Sequence, residues 1–288
     1  METNKTILDK FQNFINDKNF YQLLLSIKTE LRKLSRKGIT KDYFDLLSSV
    51  LKVLKENEEK ESCVSLFLYG LEEYSKMTFN KADTDLLLTA LKLSFENLPD
   101  IQEKKEVKMK LMKFFESKQI PDIQLQKFGF YKLFADDALK NKDRADGYRY
   151  ALKCEDLETL NEYSEYFLNE KLKNEEEKKY FLARTCLELI LLKNPLLALK
   201  FITKHVDASN NYQNNHPIIN FAFLLNSMIL KDSNDFEAFC GVLNSYKQVL
   251  ELEGSLVKYL NKISMNFYNK PIIKETGFNI MNLLKAFG

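Results

Sequence analysis

Apolar side chains recur three and four positions apart along most of the 288-residue chain, as at Leu47, Val50, Leu51 and Leu54. This spacing puts them on one face of an α-helix, where they form a stripe that another element must cover. The chain has only 8 Gly and 5 Pro, and no run of alternating Val, Ile and Thr indicates a β-strand. The pattern therefore predicts an all-α fold.

The chain divides into about fourteen or fifteen predicted helices, joined mostly by short links. Their predicted spans are residues 3–16, 19–36, 40–56, 60–77, 84–98, 102–118, 122–140, 142–153, 156–171, 175–192, 195–205, 217–231, 233–250, 254–268 and 276–286. Short links make consecutive helices antiparallel, and a long series of such pairs stacks instead of closing into one bundle. We therefore predict a single right-handed α-solenoid of antiparallel helical hairpins over residues 1–288. Because no repeat of fixed length aligns, we expect a degenerate tetratricopeptide-like array.

Residues that suit helix N-termini support this assignment. Asn194 precedes Pro195, which fits a first helical turn because proline lacks the backbone N–H that would be unsatisfied there. Asp156, Asp232 and Asp235 lie at the starts of other predicted helices, where a carboxylate meets the positive end of the helix dipole.

The most apolar stretch of the chain is HPIINFAFLLNSMIL, which begins at His216. Its apolar run, residues 218–230, is shorter than the roughly 18–20 residues that cross a bilayer, and polar residues interrupt it. Pro217 fits the first helical turn, and Asn215 or His216 is placed to cap it. We therefore predict a buried helix that is covered on more than one side.

The overall composition argues against several partners and compartments. The 43 Lys+Arg and 41 Asp+Glu leave a formal charge of +2, which is no general reason to bind nucleic acid or an anionic membrane. The amino terminus lacks the apolar core of a signal peptide. Cys63, Cys154, Cys186 and Cys240 are far apart in apolar helical patterns, so we expect buried free thiols in a reducing compartment. We therefore expect a cytosolic protein with no direct membrane insertion.

The residue patterns of known catalytic chemistry are missing from the sequence. His205 and His216 are the only histidines, and neither has a second metal ligand three or four residues away. No glycine-rich phosphate loop or activated serine motif occurs, and paired carboxylates lie on amphipathic helices where solvent exposure explains them. We therefore predict a scaffold with no catalytic residue, metal or cofactor, and keep an α/α enzyme as a distant alternative.

Five segments, in order, resemble those of the Golgi-to-ER traffic protein 4 family, and together they span nearly the whole chain. They are NDKNFYQLLLSIKTELRKL, LYGLEEYSKMTFNKADTDL, LARTCLELILLKNPLLALKFI, HPIINFAFLL and YLNKISMNFYNKPIIKETGFNIMNLLKAFG. The matching positions are Phe20, Tyr21, Lys28, Thr29, Asp85, Leu86, Asn194, Ala198, Tyr259, Leu260, Lys262, Ile263, Gly277, Asn282, Leu283 and Leu284. The chain departs from the family at IPDIQL, which lacks the family's glycine and histidine, and at RYAL, where the family has H-F-L.

The resemblance implies a scaffold in the guided entry of tail-anchored proteins, with two binding ends. Residues 1–140 would dock the ATPase that targets tail-anchored membrane proteins to the ER, and residues 141–288 would bind a ubiquitin-like adaptor protein. A third subunit of the BAG-domain type is a further partner that the family implies. The remaining alternative is a helical-repeat subunit of another assembly, of the proteasome-lid, signalosome or translation-initiation type, but those subunits usually end in a winged helix with β-strands.

The amino-terminal residues fit the first of these ends. Residues 1–41 carry nine basic and four acidic side chains, an excess that can steer an acidic partner. Lys28, Arg32 and Arg36 recur at helical spacing, and Lys33 lies one turn round. An ordinary solvated helix face explains the same spacing. With the family match, the predicted ATPase-docking residues are Tyr21, Lys28, Arg32, Lys33, Arg36 and Asp85.

The carboxyl-terminal half contains the predicted adaptor-binding residues. The polar segment 205–216 is long for a solenoid turn, and it precedes the apolar helix as the lip of a groove would. Apolar anchors with a polar rim suit a partner helix or strand. The predicted residues are His216, Pro217, Ile218, Ile219 and Phe221. For Phe221, plain core packing is an equal alternative.

Overall fold

A computed structural model describes residues 9–77, 84–98, 104–117, 123–204, 216–231 and 235–272. Within these residues the chain forms fifteen α-helices, one short π-helix and no strand, which confirms the predicted all-α class. The helices are α1 Gln12–Asn16, α2 Phe20–Lys37, α3 Thr40–Glu56, α4 Lys60–Ser75, α5 Thr84–Glu96, α6 Lys104–Ser117, α7 Ile123–Lys140, α8 Arg144–Ala151, α9 Leu157–Tyr166, α10 Glu175–Leu191, α11 Pro195–Thr203, α12 Pro217–Leu230, α13 Phe236–Ser245, α14 Lys247–Leu252 and α15 Leu256–Tyr268. The π-helix, Phe167–Lys171, follows α9.

Most predicted spans agree with these helices, and the main difference lies between residues 233 and 250. The span 233–250 was predicted as one helix, but Tyr246 has a non-helical backbone and separates α13 from α14. Its ring lies 5.6 Å from that of Phe221 on α12, a contact that helical periodicity does not reveal. The predicted helix 276–286 lies outside the described residues.

The predicted caps have mixed outcomes. Asn194 accepts a hydrogen bond from the backbone N–H of Leu197, and Asp235 accepts one from Ala238, so both cap their helices. Asp232 lies outside the described residues, and the cap of α13 is Asp235. Asp156 makes no side-chain bond to the backbone as the N-cap of α9.

The carboxylate of Asp156 instead links two helices. It accepts hydrogen bonds of 2.6 Å from both the Lys132 ammonium of α7 and the Thr159 hydroxyl of α9. Burial raises the pKa of Asp156, but these two donors outweigh that effect and hold the pKa below its usual value. The structure thus uses this residue for tertiary packing as well as for a helix start.

The first of two units covers Met1–Phe130, and its helices form two layers. Helix α2 packs against α3 and α4, α3 packs against α4 and α5, and α4 packs against α6. Helices α2, α3 and α4 therefore each contact the next helix but one, and α2 and α3 also contact the next one, which is the packing of stacked helical hairpins. Helices α2, α4 and α6 form one layer, and α3 and α5 form the other.

A buried tyrosine holds the layers of this unit close together. The hydroxyl of Tyr43 on α3 donates a 2.6 Å hydrogen bond to the carbonyl of Gly70 on α4. A Cβ at Gly70 would lie 2.8 Å from the Leu47 side chain, so glycine permits the close approach of α3 and α4. Edge-on ring contacts extend from Tyr43 to Phe44 and from Phe44 to Tyr74.

The second unit covers Tyr131–Gly288 and is organised around α10. This helix packs against α11, α12 and α15, while α11 also packs against α12. A tyrosine again joins neighbouring helices, because the Tyr163 hydroxyl donates a 2.6 Å hydrogen bond to the Ala135 carbonyl. A Cβ at Gly147 would collide with the Tyr163 ring, so α8 needs glycine there. Within each unit the packing is that of the predicted solenoid of helical hairpins.

Replacement of Phe221 by alanine is expected to destabilise the second unit strongly. The Phe221 side chain has no exposed surface, so its loss removes apolar burial and leaves a cavity. We expect a loss of about 3–5 kcal/mol in the free energy of unfolding, measured by urea denaturation. Leu224→Ala is the control on the same helix, because Leu224 is 42% exposed and should cost under about 1 kcal/mol. Equal midpoints for the two variants would contradict the core position of Phe221.

Candidate protein-docking surfaces

One face of α2 carries an exposed row of side chains that we call the α2 stripe. It consists of Tyr21, Leu25, Lys28, Arg32 and Arg36, which are spaced three or four residues apart and so share one side of the helix. Tyr21 is 70% exposed and Leu25 is 46% exposed. The opposite side of α2 is buried in the core through Phe20, Leu23, Ile27, Leu31 and Leu34. The stripe is therefore apolar at its first two positions and basic at the next three.

The three basic side chains of the α2 stripe have different surroundings. Lys28 is half-buried, donates a 3.1 Å hydrogen bond to the Ser65 hydroxyl, and lies 5.4 Å from the centre of the Tyr69 ring. Both contacts orient its ammonium toward α4. Arg32 and Arg36 are exposed, and among the described residues no carboxylate pairs with either guanidinium. Their charges are consequently available to a partner.

Two of the predicted ATPase-docking residues lie off this stripe. Lys33 is one residue past Arg32, about 100° further round the helix, and its ammonium lies 2.7 Å from Glu30. Asp85 is exposed in the first turn of α5, which packs against α3 in the other layer of the unit. The structure thus brings Tyr21, Lys28, Arg32 and Arg36 together and separates Lys33 and Asp85 from them.

Leu25 belongs to the α2 stripe although the sequence analysis did not select it. An exposed leucine next to Leu23 and Ile27 looks like one more core position when only hydropathy is considered. A signal was present, since Leu25 follows Tyr21 by four residues and falls outside the spacing that joins Leu23, Ile27 and Leu31. With Tyr21, it makes the first two positions of the stripe apolar.

His216 connects the start of α12 to α10. Its Nδ1 accepts a hydrogen bond from the backbone N–H of Ile218, so it caps α12 as predicted. Because Nδ1 accepts, the ring proton is on Nε2, which lies 2.7 Å from the Glu176 carboxylate. The ring also meets Tyr180 edge-on at 6.0 Å. Both ring nitrogens are therefore engaged within the unit.

The apolar residues predicted to bind the adaptor are core residues. Ile218, Ile219 and Phe221 are 0%, 2% and 0% exposed. Side chains buried to this degree are not exposed anchors, which corrects the prediction for these three and supports the alternative of core packing for Phe221. Residues 205–215, the predicted lip of the groove, lie outside the described residues. Pro217 is exposed at the first turn of α12. Ile218, Ile219 and Phe221 are buried because α10, α11 and α13 cover the side of α12 that carries them.

A group of exposed leucines lies beside the contact between α11 and α12. The side-chain amide of Asn226 donates a 3.0 Å hydrogen bond to the Pro195 carbonyl. Three exposed leucines within four residues of Asn226 or Pro195 along the chain are called the leucine patch. They are Leu192, Leu196 and Leu230, with exposures of 44%, 56% and 36%. Leu224 is also exposed but lies about 200° round α12 from Asn226. Exposed apolar side chains beside a contact between two helices are candidates for a protein interaction site.

A polar junction fastens α15 to α10. The Tyr259 hydroxyl donates a 2.8 Å hydrogen bond to Glu188, and the Arg184 guanidinium lies 3.3 Å from the Ser255 hydroxyl and 3.6 Å from Glu253. Burial raises the pKa of Glu188, although the hydrogen bond from Tyr259 and the charge of Arg184 act in the opposite direction. This junction fixes the last described helix of the unit.

The described residues offer little to metal or nucleophilic chemistry. Among them, no group of three His, Cys, Asp or Glu side chains is placed to hold a metal ion. Burial raises the pKa of the Cys63 and Cys154 thiols to about 11, and it also raises that of Cys186, so these thiols stay protonated at neutral pH. No helix in the described parts of the chain has the length and apolarity of a membrane span.

Stacked helical hairpins with exposed basic and apolar surfaces define a helical-repeat scaffold. The family model described as Golgi to ER traffic protein 4 matches residues 39–287. The chain belongs to that family, as the sequence resemblance predicted. This membership connects it to Golgi-to-ER traffic and to the pathway of guided entry of tail-anchored proteins. The α2 stripe precedes the matched span.

One solved structure shows the same fold over almost the full length. The crystal structure of C. therm. Get4 superposes with a TM-score of 0.70 and covers 99% of this chain and 95% of its own. The two sequences are 14% identical, so this likeness concerns the fold alone. No curated protein matches the chain.

Replacement of His216 is expected to reveal its role as a cap. His216→Ala removes the acceptor for the Ile218 N–H and the contact with Glu176, and should cost about 1 kcal/mol in urea denaturation. His216→Asn is the matched control because asparagine is a favoured N-cap, so it should recover most of that loss. If both variants were equally destabilised, the contact with Glu176 would be the important one.

Replacement of Glu188 by glutamine should give a pH-dependent stability difference. The raised pKa means that the folded state holds the Glu188 proton more tightly than the unfolded state, so this group's contribution to stability decreases as pH rises above its usual pKa of 4.5. Glutamine can still accept from Tyr259 and does not ionise. The stability of Glu188→Gln relative to the natural protein should therefore increase between pH 4 and pH 7, as measured by urea denaturation at each pH.

Tyr259→Phe is the matched control for this measurement. It removes the donor that stabilises the Glu188 carboxylate, so it should destabilise the protein more at pH 7 than at pH 4. A stability difference for Glu188→Gln that does not change with pH would contradict the raised pKa.

Proposed function

We propose that this protein is a non-enzymatic cytosolic scaffold that bridges the targeting ATPase for tail-anchored proteins and a ubiquitin-like adaptor. The bridge would promote delivery of tail-anchored membrane proteins to the ER. The observation that carries the proposal is the α2 stripe, in which two exposed guanidiniums without carboxylate partners among the described residues accompany two exposed apolar side chains. A surface of this kind suits a protein partner with an acidic face.

The ATPase is assigned to the α2 stripe. Tyr21 and Leu25 supply apolar contact area, and Arg32 and Arg36 supply charge that can speed the encounter with an acidic surface. Lys28 contributes less to the encounter because Ser65 and Tyr69 already hold its ammonium. Lys33 and Asp85 are not part of this assignment, since they lie off the stripe.

The adaptor is assigned to the leucine patch of the second unit. Leu192, Leu196 and Leu230 are exposed, whereas the residues first predicted for this role are buried. An amphipathic helix or an extended segment of the adaptor could cover the three leucines with apolar side chains. Pro217 and the half-buried His216 are on the same helix as Leu230 and remain candidates for the edge of the interface. A third subunit of the BAG-domain type stays a prediction.

Separate contacts should allow each partner to be lost alone. Because repeats contact only near neighbours, a surface change on α2 is not expected to alter α11 or α12. Reversal of charge in Arg32→Glu with Arg36→Glu should weaken capture of the ATPase by about tenfold or more at low salt, and leave adaptor binding unchanged. Leu196→Asp with Leu230→Asp should do the reverse. Biosensor measurements of both purified partners against both variants test this.

Lys33→Glu is the matched control for the first variant. It reverses a charge on the same helix but off the α2 stripe, where the lysine already pairs with Glu30, so its effect on ATPase binding should be small. The proposal fails if Lys33→Glu weakens ATPase binding as much as Arg32→Glu with Arg36→Glu does. It also fails if either double variant, still folded by circular dichroism, loses both partners or neither.

A further inference from the structure

A second feature of the first unit is a groove in the layer of helices formed by α2, α4 and α6. It has a volume of about 620 Å³, and its apolar floor is formed by Leu68, Leu71 and Phe114. Leu71 and Phe114 are each 6% exposed, and Leu68 is half-buried. The groove therefore has room for a large side chain above a floor that is already well packed.

The sides of the groove are basic. Lys28 of α2 lies on one side and Lys110 and Lys113 of α6 lie on the other, while Glu72 of α4 is the one carboxylate among the lining residues. Glu72 also pairs with Lys76 at 3.4 Å, which offsets part of its charge. The lining thus attracts negative charge from two opposite sides.

The three lysines differ in the contacts that they make within the unit. The Lys28 ammonium donates to Ser65, and the Lys110 ammonium lies 2.8 Å from Glu106 one turn earlier on α6. Lys113 is exposed, and no described carboxylate pairs with it. Exposed ion pairs within a helix are weak, so a ligand carboxylate can compete for Lys110, while Lys113 is available directly.

We propose that this groove binds an extended acidic segment of a partner protein, with one large apolar side chain on the floor and carboxylates beside Lys28 and Lys113. Neighbouring helices lie about 8–10 Å apart, so three adjacent helices span roughly 20 Å. An extended chain advances about 3.3 Å per residue, and about six residues cover that distance. Charge and length are thus both matched by a short linear segment.

A nucleic acid fits the groove less well. Single-stranded RNA binds by stacking bases on aromatic faces, and the aromatic ring most accessible here is the half-buried Tyr69. The Lys28 ammonium already lies 5.4 Å from the centre of that ring. Glu72 would also repel a phosphate backbone. A peptide needs no stacking face and can place its carboxylates away from Glu72.

The groove and the α2 stripe share only Lys28, so this proposal does not depend on the identity of the partner that docks on the stripe. Arg32 and Arg36 are absent from the groove lining. A change at Lys113 tests the groove while the stripe arginines remain as they are. Conversely, Arg32→Glu with Arg36→Glu should leave most of the binding of a short peptide intact.

Fluorescence anisotropy with the full-length protein tests the proposal. The probe is a fluorescein-labelled peptide of about eight residues, with a central phenylalanine flanked by aspartates and glutamates. We expect saturable binding that weakens with salt, a much weaker signal for the peptide with Asn and Gln in place of the acids, and a weaker one with alanine in place of phenylalanine. Lys113→Glu should weaken binding by about tenfold.

Two further variants separate charge recognition from damage to the fold. Glu72→Gln removes the repelling carboxylate and should tighten binding by about threefold, a gain that a damaged fold would not give. Lys92→Glu is the control because Lys92 is exposed on α5 in the other layer, and it should leave binding unchanged. The proposal is overturned if the acidic peptide does not bind at low salt or binds no better than its amide counterpart. It is equally overturned if Lys92→Glu acts like Lys113→Glu, if Glu72→Gln fails to tighten binding, or if a labelled single-stranded RNA binds more tightly than the peptide.

Discussion

The burial of each helix's apolar stripe against its near neighbours in the chain is the constraint on which the structure depends. Most of the stability of a helix in a protein comes from the packing of its apolar side, and α3 and α4 cover that side of α2. The same arrangement leaves the other side of α2 facing solvent. A protein built in this way has exposed helix faces along each layer, and the residues on those faces can be selected for binding instead of for packing.

Two buried tyrosines show how closely the layers approach. Tyr43 donates to the carbonyl of Gly70, and Tyr163 donates to the carbonyl of Ala135 beside Gly147. A buried hydroxyl without a partner would be costly, so each tyrosine needs an acceptor across the helix interface. The glycines remove the Cβ that would keep the tyrosine or its helix further away. Both units thus combine a polar bond with close packing, and this specifies one arrangement of the helices.

The candidate binding surfaces follow from what this packing leaves uncovered. In the second unit α12, the most apolar segment of the sequence, is covered by α10, α11 and α13. Exposed leucines remain beside the Asn226 to Pro195 hydrogen bond. In the first unit, arginines and a basic groove remain on the layer of α2, α4 and α6. The leucine patch and the basic groove belong to different units, which suits a scaffold that holds unlike partners.

The sequence by itself determined the helical class, most helix boundaries and several caps. These properties arise from local interactions: the i to i+4 hydrogen bonds, the periodic apolar stripe and the cap at Asn194 depend on residues that are close in the chain. The exposed basic side of α2 was also predictable, because charged residues at helical spacing rarely face a core.

Only the tertiary structure decided which apolar residues are exposed and which charged side chains are held by contacts with other helices. Helix α12 is apolar on most sides, so its sequence cannot show that Phe221 is covered while Leu224 is not; the neighbours α10, α11 and α13 determine this. The same is true of Lys28, whose ammonium is held by Ser65 and Tyr69 of a different helix, and of Tyr246, whose non-helical backbone divides a predicted helix beside the Phe221 ring. Periodicity describes one helix at a time, whereas burial depends on residues that are distant in the chain and adjacent in space.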